Sequence, residues 1–114
     1  MEDFNKIVKA GITVEIVNLS RATYENAEAF KNIINNDIAK GVRRLVIDLS
    51  HCEFMDSTFI GVLVVALKNI TETGGNLRIV KPSFTAHSIL ETTDALRIFS
   101  LYNTIEEAAK TFIH

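Results

Sequence analysis

The residues best placed to do chemistry are Met55-Asp56-Ser57-Thr58, an acid and two hydroxyls standing directly before the apolar run Phe59 to Leu67. An aspartate there reads as a helix N-cap. Its carboxylate can accept from the free N–H groups of the first turn, and it sits at the positive end of the helix dipole. Ser57 and Thr58 then take the first two helical positions with their hydroxyls outward, because the apolar residues behind them must face a sheet. Capping alone would account for such a triplet. Just upstream, His51-Cys52-Glu53 offers metal-ligating types, but neighbours in a short loop rarely converge on one ion, and no second Cys/His pair stands at ligand spacing. Cys52 carries no sequence sign of a lowered pKa and reads as a loop or partly buried thiol. Asp48, at a strand end, reads as a cap for the following loop. There is no G-x-S-x-G elbow, P-loop or G-x-G-x-x-G, and Gly74-Gly75 precedes a strand and so makes a turn. The expectation is a non-enzyme that uses no cofactor and no metal.

The elements that must position the triplet follow from periodicity. "FNKIV" and "ITVEIVNL" alternate like strands, and Lys9-Ala10-Gly11 between them can turn a hairpin with Gly11 at positive φ. "ATYENAEAFKNIINNDIAKG" is amphipathic, with Tyr24, Ala27, Phe30, Ile34 and Ile38 on one face and Gly41 placed to end it. "RRLVIDL" has three consecutive apolar residues, which fits a strand covered on both faces. The spacing then predicts a helix from about Ser57 to Thr73 and a strand at "NLRIV". A third helical region follows Pro82 in "SFTAHSILETT", with Phe84, His87, Ile89 and Leu90 inward. A short strand is expected around Arg97 to Phe99. A last helix opens at Thr104, with Glu107 completing a capping box. The order β-β-α-β-α-β-α-β-α predicts an α/β fold, a central mixed sheet of about four to five strands with about four helices, spanning residues 1–114 as one domain.

The totals narrow the function classes. Twelve basic and fourteen acidic residues give a net charge of −2, and the basic ones are scattered. No nucleic-acid-binding face and no polybasic membrane patch results. A single cysteine allows no internal disulfide and suggests a reducing compartment. The acidic start "MEDFNKIVKAG" lacks the apolar core of a signal peptide, and no apolar run reaches the roughly 18 to 20 residues of a membrane span. A cytoplasmic protein without membrane insertion is expected. The composition leaves a weak dimer open.

"VIDLSHCEFMDSTFIGVLVVALK" resembles the central segment of the bacterial anti-sigma-factor antagonists of the STAS domain family. Val46-Ile47-Asp48-Leu49-Ser50 matches the strand of that pattern, Phe54-Met55-Asp56-Ser57-Thr58 its turn, and Gly61-Val62 its later glycine. "GGNLRIV" and "ALRIF…TIEEAA" extend the likeness along nearly the whole chain. The resemblance implies that Ser57 is phosphorylated by a partner serine kinase that is itself the anti-sigma factor. A PP2C-type phosphatase would reset it, and the protein would act by partner switching in transcription regulation. It also implies a contact surface of Asp56, Ser57, Thr58 and Phe59 with the loop residues Ser20, Arg21 and Thr23. Two departures stand out. Phe59 replaces the family's glycine, and would either pack on the sheet or serve as an exposed anchor. Val17-Asn18-Leu19-Ser20 replaces an acidic pair. The alternative these suggest is a STAS subunit docked permanently in a larger assembly, such as a lipid-transport ATPase, without phosphorylation.

Overall fold

The structure, a computed structural model, describes residues 2–83 and 98–112. Strand β1 (Phe4–Lys9) and strand β2 (Ile12–Val17) form an antiparallel hairpin closed by Ala10 and Gly11, both at positive φ (53° and 78°). That pair of left-handed residues matches the right-handed twist of the flanking strands, which is why so tight a turn forms here. The expected role of Gly11 is observed, and Ala10 shares it.

A two-residue strand β3 (Arg21–Ala22) leads into helix α1 (Tyr24–Ala39), and strand β4 (Arg44–Asp48) follows. Another two-residue strand, β5 (Phe54–Met55), precedes helix α2 (Ser57–Glu72). Strands β6 (Asn76–Val80) and β7 (Leu101–Tyr102) and helix α3 (Ile105–Lys110) complete the described elements. The main sheet runs β1-β2-β4-β6-β7, parallel except for the opening hairpin, and β3 pairs with β5 in a separate two-stranded sheet.

The consecutive apolar residues of β4 divide as a doubly covered strand requires. Leu45 and Ile47 join the larger core beneath α1 and α2, while Val46 faces the other way, with Ile12, Val14, Val80 and Ala108 of α3. In α1, Ala27, Phe30 and Ile34 are buried and Ile38 packs against them. Tyr24, expected on that face, is instead 69% exposed; it is the first residue of the helix, and its backbone amide is held from outside α1, as described below.

Three further expectations change. The central sheet has five strands, but the described residues hold three helices, and the helix expected at 83–93 lies, apart from Ser83, outside them. The inward residues assigned to it, His87 included, lie outside as well. The last strand pairs at Leu101–Tyr102, opposite Ile79–Val80, rather than at Ile98 or Phe99. Strands of two residues have no periodicity to read, so their placement is set by partners. The helix after Thr104 is capped as expected, the Glu107 amide donating to the Thr104 hydroxyl at 3.0 Å. The Glu107 carboxylate, however, accepts from the Asn103 amide rather than from that of Thr104.

Candidate functional site

The site is built by the small β3–β5 ladder. Arg21 pairs with Phe54 and Ala22 with Met55, and the Asp56 amide extends the run by donating to the Ala22 carbonyl at 3.1 Å. The clasp binds the segment before α1 to the segment before α2, and so sets the two helix N-termini side by side. Ser20 and Arg21 tighten it. The Ser20 hydroxyl donates to the Glu53 carboxylate at 2.9 Å, and the Arg21 guanidinium lies 4.3 Å over the Phe54 ring. The latter is a cation–π contact at an exposed site.

Asp56 then does more than cap its own helix. One carboxylate oxygen accepts from the Phe59 amide at 2.9 Å, in the first turn of α2. The other accepts from the Tyr24 amide at 2.7 Å, the first residue of α1. One negative charge therefore serves two helix starts at once, where both dipoles favour it. Thr23 completes the start of α1 in a reciprocal box, its hydroxyl accepting within the first turn while Asn26 Oδ1 accepts from the Thr23 amide at 3.3 Å.

Ser57 and Thr58 are exposed at the first two positions of α2. Phe59 is not. Its ring is fully buried and stacks on Phe30 with centroids 4.9 Å apart. The contact surface expected from the resemblance is corrected at this residue: Phe59 packs on the core and offers nothing to a partner. Asp56, Ser57, Thr58, Ser20, Arg21 and Thr23 do share one end of the molecule, drawn together by the clasp.

Asp48 and Cys52 take structural places. Asp48 accepts from the Ser50 amide at 2.9 Å, the loop cap expected of it. Cys52 is fully buried, and burial, with the charge of Asp48 adding to it, pushes its thiol up to about 12, the reverse of an activated nucleophile. Among the described residues, no group of three or more His, Cys, Asp or Glu side chains could hold a metal ion.

A charged cluster that the sequence reading did not single out lies under the C-terminal part of α1. Glu15 and Asp37 are 2% and 1% exposed, and the Lys6 ammonium reaches both, at 3.4 Å and 2.5 Å. Among the described residues, each acid has one oxygen that finds no hydrogen-bond donor. Burial above all, with Asp37 beside it, pushes the Glu15 carboxyl up to about 8, while Lys6 pulls the other way. Lys6 itself is raised, first by its hydrogen bond to Asp37. A signal was present: Asp37 continues the stripe 27-30-34 of α1, and Glu15 interrupts the β-branched run of β2 opposite Lys6.

With this geometry in view, the class of protein is defined: the family profile of the STAS domain matches residues 20–108, and the chain belongs to that family. A relative in Thermotoga maritima, named as a candidate anti-sigma factor antagonist, is 36% identical over 85 residues, covering 74% of this chain and 75% of the relative. BtrV of Bordetella bronchiseptica, named likewise, is 28% identical over 87 residues, 76% of this chain and 75% of that one. Among solved structures, a candidate anti-sigma factor antagonist of Thermotoga maritima superposes with a TM-score of 0.84 at 30% identity, covering 95% of this chain and 92% of the other. A STAS domain protein of Planctomyces limnophilus reaches 0.87 at 24% identity, covering 99% and 100%, which speaks to the fold alone. Among the described residues, no helix is long and apolar enough to cross a membrane.

Proposed function

We infer that this chain is an anti-sigma factor antagonist that works by partner switching. Unphosphorylated, it binds an anti-sigma factor serine kinase and so frees a sigma factor. Phosphorylated on Ser57 by that kinase, it lets go, and a PP2C-type phosphatase resets it. The kinase brings the ATP and its metal; this chain supplies the hydroxyl and the surface around it.

The observation that carries the reading is the exposed Ser57 hydroxyl beside a carboxylate already satisfied by backbone amides. Phosphorylation adds roughly −1.5 to −2 charges and three acceptor oxygens. The first turn of a helix tolerates them, by about 0.3–1 kcal/mol from the dipole, and no core contact is touched. A partner lying over the same hydroxyl must instead desolvate a dianion, which costs several kcal/mol unless a cation meets it. Each 1.4 kcal/mol is about tenfold in affinity, so binding fails long before the fold does. The names of the relatives support the partner class. Permanent docking without phosphorylation loses one of its supports, since Phe59 lies inside and cannot anchor a partner.

The test is incubation with ATP and a purified candidate kinase, read by mass spectrometry. One phosphate on Ser57 is expected, none on Ser57→Ala, and Ser57→Asp should lose the kinase while melting within a few degrees of the wild type. Modification at another residue, or equal binding by both forms, would sink the reading.

A further inference from the structure

Lys6 on β1, Glu15 on β2 and Asp37 in the last turn of α1 meet where the opening hairpin lies under the helix. As fully ionised groups they do not balance. Two buried carboxylates would share one ammonium, and no second cation among the described residues pairs with either. Glu15 stands opposite Lys6 in β1 and opposite Ile47 in β4. Lys40, Arg43 and Arg44, at and beyond the end of α1, are exposed, and Arg43 is hydrogen-bonded to the Ile38 and Val42 carbonyls. Asp37 also sits at the negative end of the α1 dipole, which disfavours its charge, and the last turn carries no base to offset it. The hydrogen bonds do not balance either. Among the described residues, Glu15 Oε2 and Asp37 Oδ2 are buried without a donor, one on each acid, and the two side chains lie within hydrogen-bonding reach of one another. A single proton corrects both deficits. Carried by one carboxyl, it donates to the unpartnered oxygen of the other, and the three groups together become neutral.

We propose that the folded chain holds one proton between Glu15 and Asp37, and that this proton fastens the β1–β2 hairpin to the C-terminal end of α1. The proton site is independent of the partner-switching reading and lies at the opposite end of α1 from Asp56. The upward displacement of the Glu15 carboxyl agrees with it, burial leading and Asp37 next, against the pull of Lys6. The hairpin is the part of the sheet such a fastener can control. β1 is an edge strand with five of its six residues exposed, so few contacts hold it. On the α1 side, Phe4 stacks on Phe30 near the start of the strand and the Lys6 ammonium bonds to Asp37 at its middle. With the proton gone, two like charges face one ammonium in a place closed to water. The hairpin then loosens from α1, while β4, covered on both faces, stays in place. A rise in pH from neutral to mildly alkaline thus acts as a release.

The experiment is carbon-detected NMR of the Glu15 and Asp37 carboxyls in the full chain, titrated from acid to mild alkali. Amide exchange, corrected for intrinsic rates, is measured alongside at about pH 6.5 and about pH 9. One ionisation above neutrality is expected, felt by both carboxyl carbons, with the other complete well into the acid range. Glu15→Gln should abolish the step above neutrality. Asp37→Asn should lower the Glu15 midpoint by about one unit or more, because the neighbouring charge and the shared proton are both lost. Protection of the β1 and β2 amides should fall about tenfold or more between the two pH values in the wild type, the equivalent of one pKa unit. It should change little in β4, and the fall should vanish in Glu15→Gln. Two carboxyls that both ionise below about pH 5 overturn the shared proton. So does a step above neutrality that moves one carbon and leaves the other still. A shared proton with hairpin protection independent of pH, or with an equal loss in β4, overturns its role as a fastener. If either variant fails to fold, the wild-type titration and exchange decide alone, since they need no substitution.

Discussion

Two carboxylate sites stand at opposite ends of α1, roughly 20 Å apart at 1.5 Å per residue between Tyr24 and Asp37, and they are satisfied in opposite ways. Asp56 stays at the surface and spends both oxygens on backbone amides that would otherwise have no partner. Glu15 and Asp37 are buried, share a single ammonium, and among the described residues each leave an oxygen without a donor. The first arrangement satisfies donors that the helices must have in any case. The second takes charge out of water and recovers only part of the cost. A surface acid can thus be the better structural investment, and it leaves the neighbouring Ser57 exposed.

The sharpest way to break the contrast is Lys6→Met. Removing the cation leaves the buried Asp37 carboxylate without its partner, beside a Glu15 carboxyl that is largely protonated at neutral pH, and a loss of about 3 kcal/mol is expected, at the low end for an opened buried pair because Lys6 is 40% exposed. Denaturant unfolding at neutral pH measures it, and a near-neutral result would mean that the Lys6–Asp37 pair makes no net contribution. Asp56→Ala comes next, at about 2 kcal/mol, since one change removes caps from two helices. Asp56→Asn should cost about half as much, because one amide still finds an acceptor.

Glu15→Gln sharpens the comparison through pH. Because the folded-state value is raised to about 8 from an ordinary 4.5, the folded chain holds a proton that the unfolded chain has released across that interval. Stability contributed by this group is therefore greatest below about pH 4.5 and falls as pH rises to about 8. The amide cannot ionise, and it can donate to the unpartnered oxygen of Asp37. Glu15→Gln should thus gain on the wild type between pH 5 and pH 9 by at least about 1.4 kcal/mol, the equivalent of one pKa unit. Parallel melting curves at the two pH values would refute it. The smallest effect belongs to Ser57→Asp, whose stability should stay within about 0.5 kcal/mol of the wild type, as for other surface changes.

The same two sites show what the sequence could and could not carry. Asp56 as the cap of α2 was legible because its partner, Phe59, is three residues away. Its bond to Tyr24 spans 32 residues and leaves no local trace. The β3–β5 clasp was invisible for the same reason, which is also why Tyr24 was assigned to the buried face. Glu15 and Asp37 went unnoticed because an acid in an alternating strand or on a helix surface ordinarily faces water. Only the covering of β2 on both faces decides otherwise. Phe59 illustrates the converse: resemblance left it open between core and surface, and the uninterrupted apolar run around it already favoured the core.

The clasp has one last consequence. Because Tyr24 and Phe59 answer to the same carboxylate, any fluctuation that frees Asp56 releases both amides to solvent together. Their hydrogen-exchange rates should therefore move in step, although one belongs to α1 and the other to α2, and under the proposed function a bound kinase should slow both.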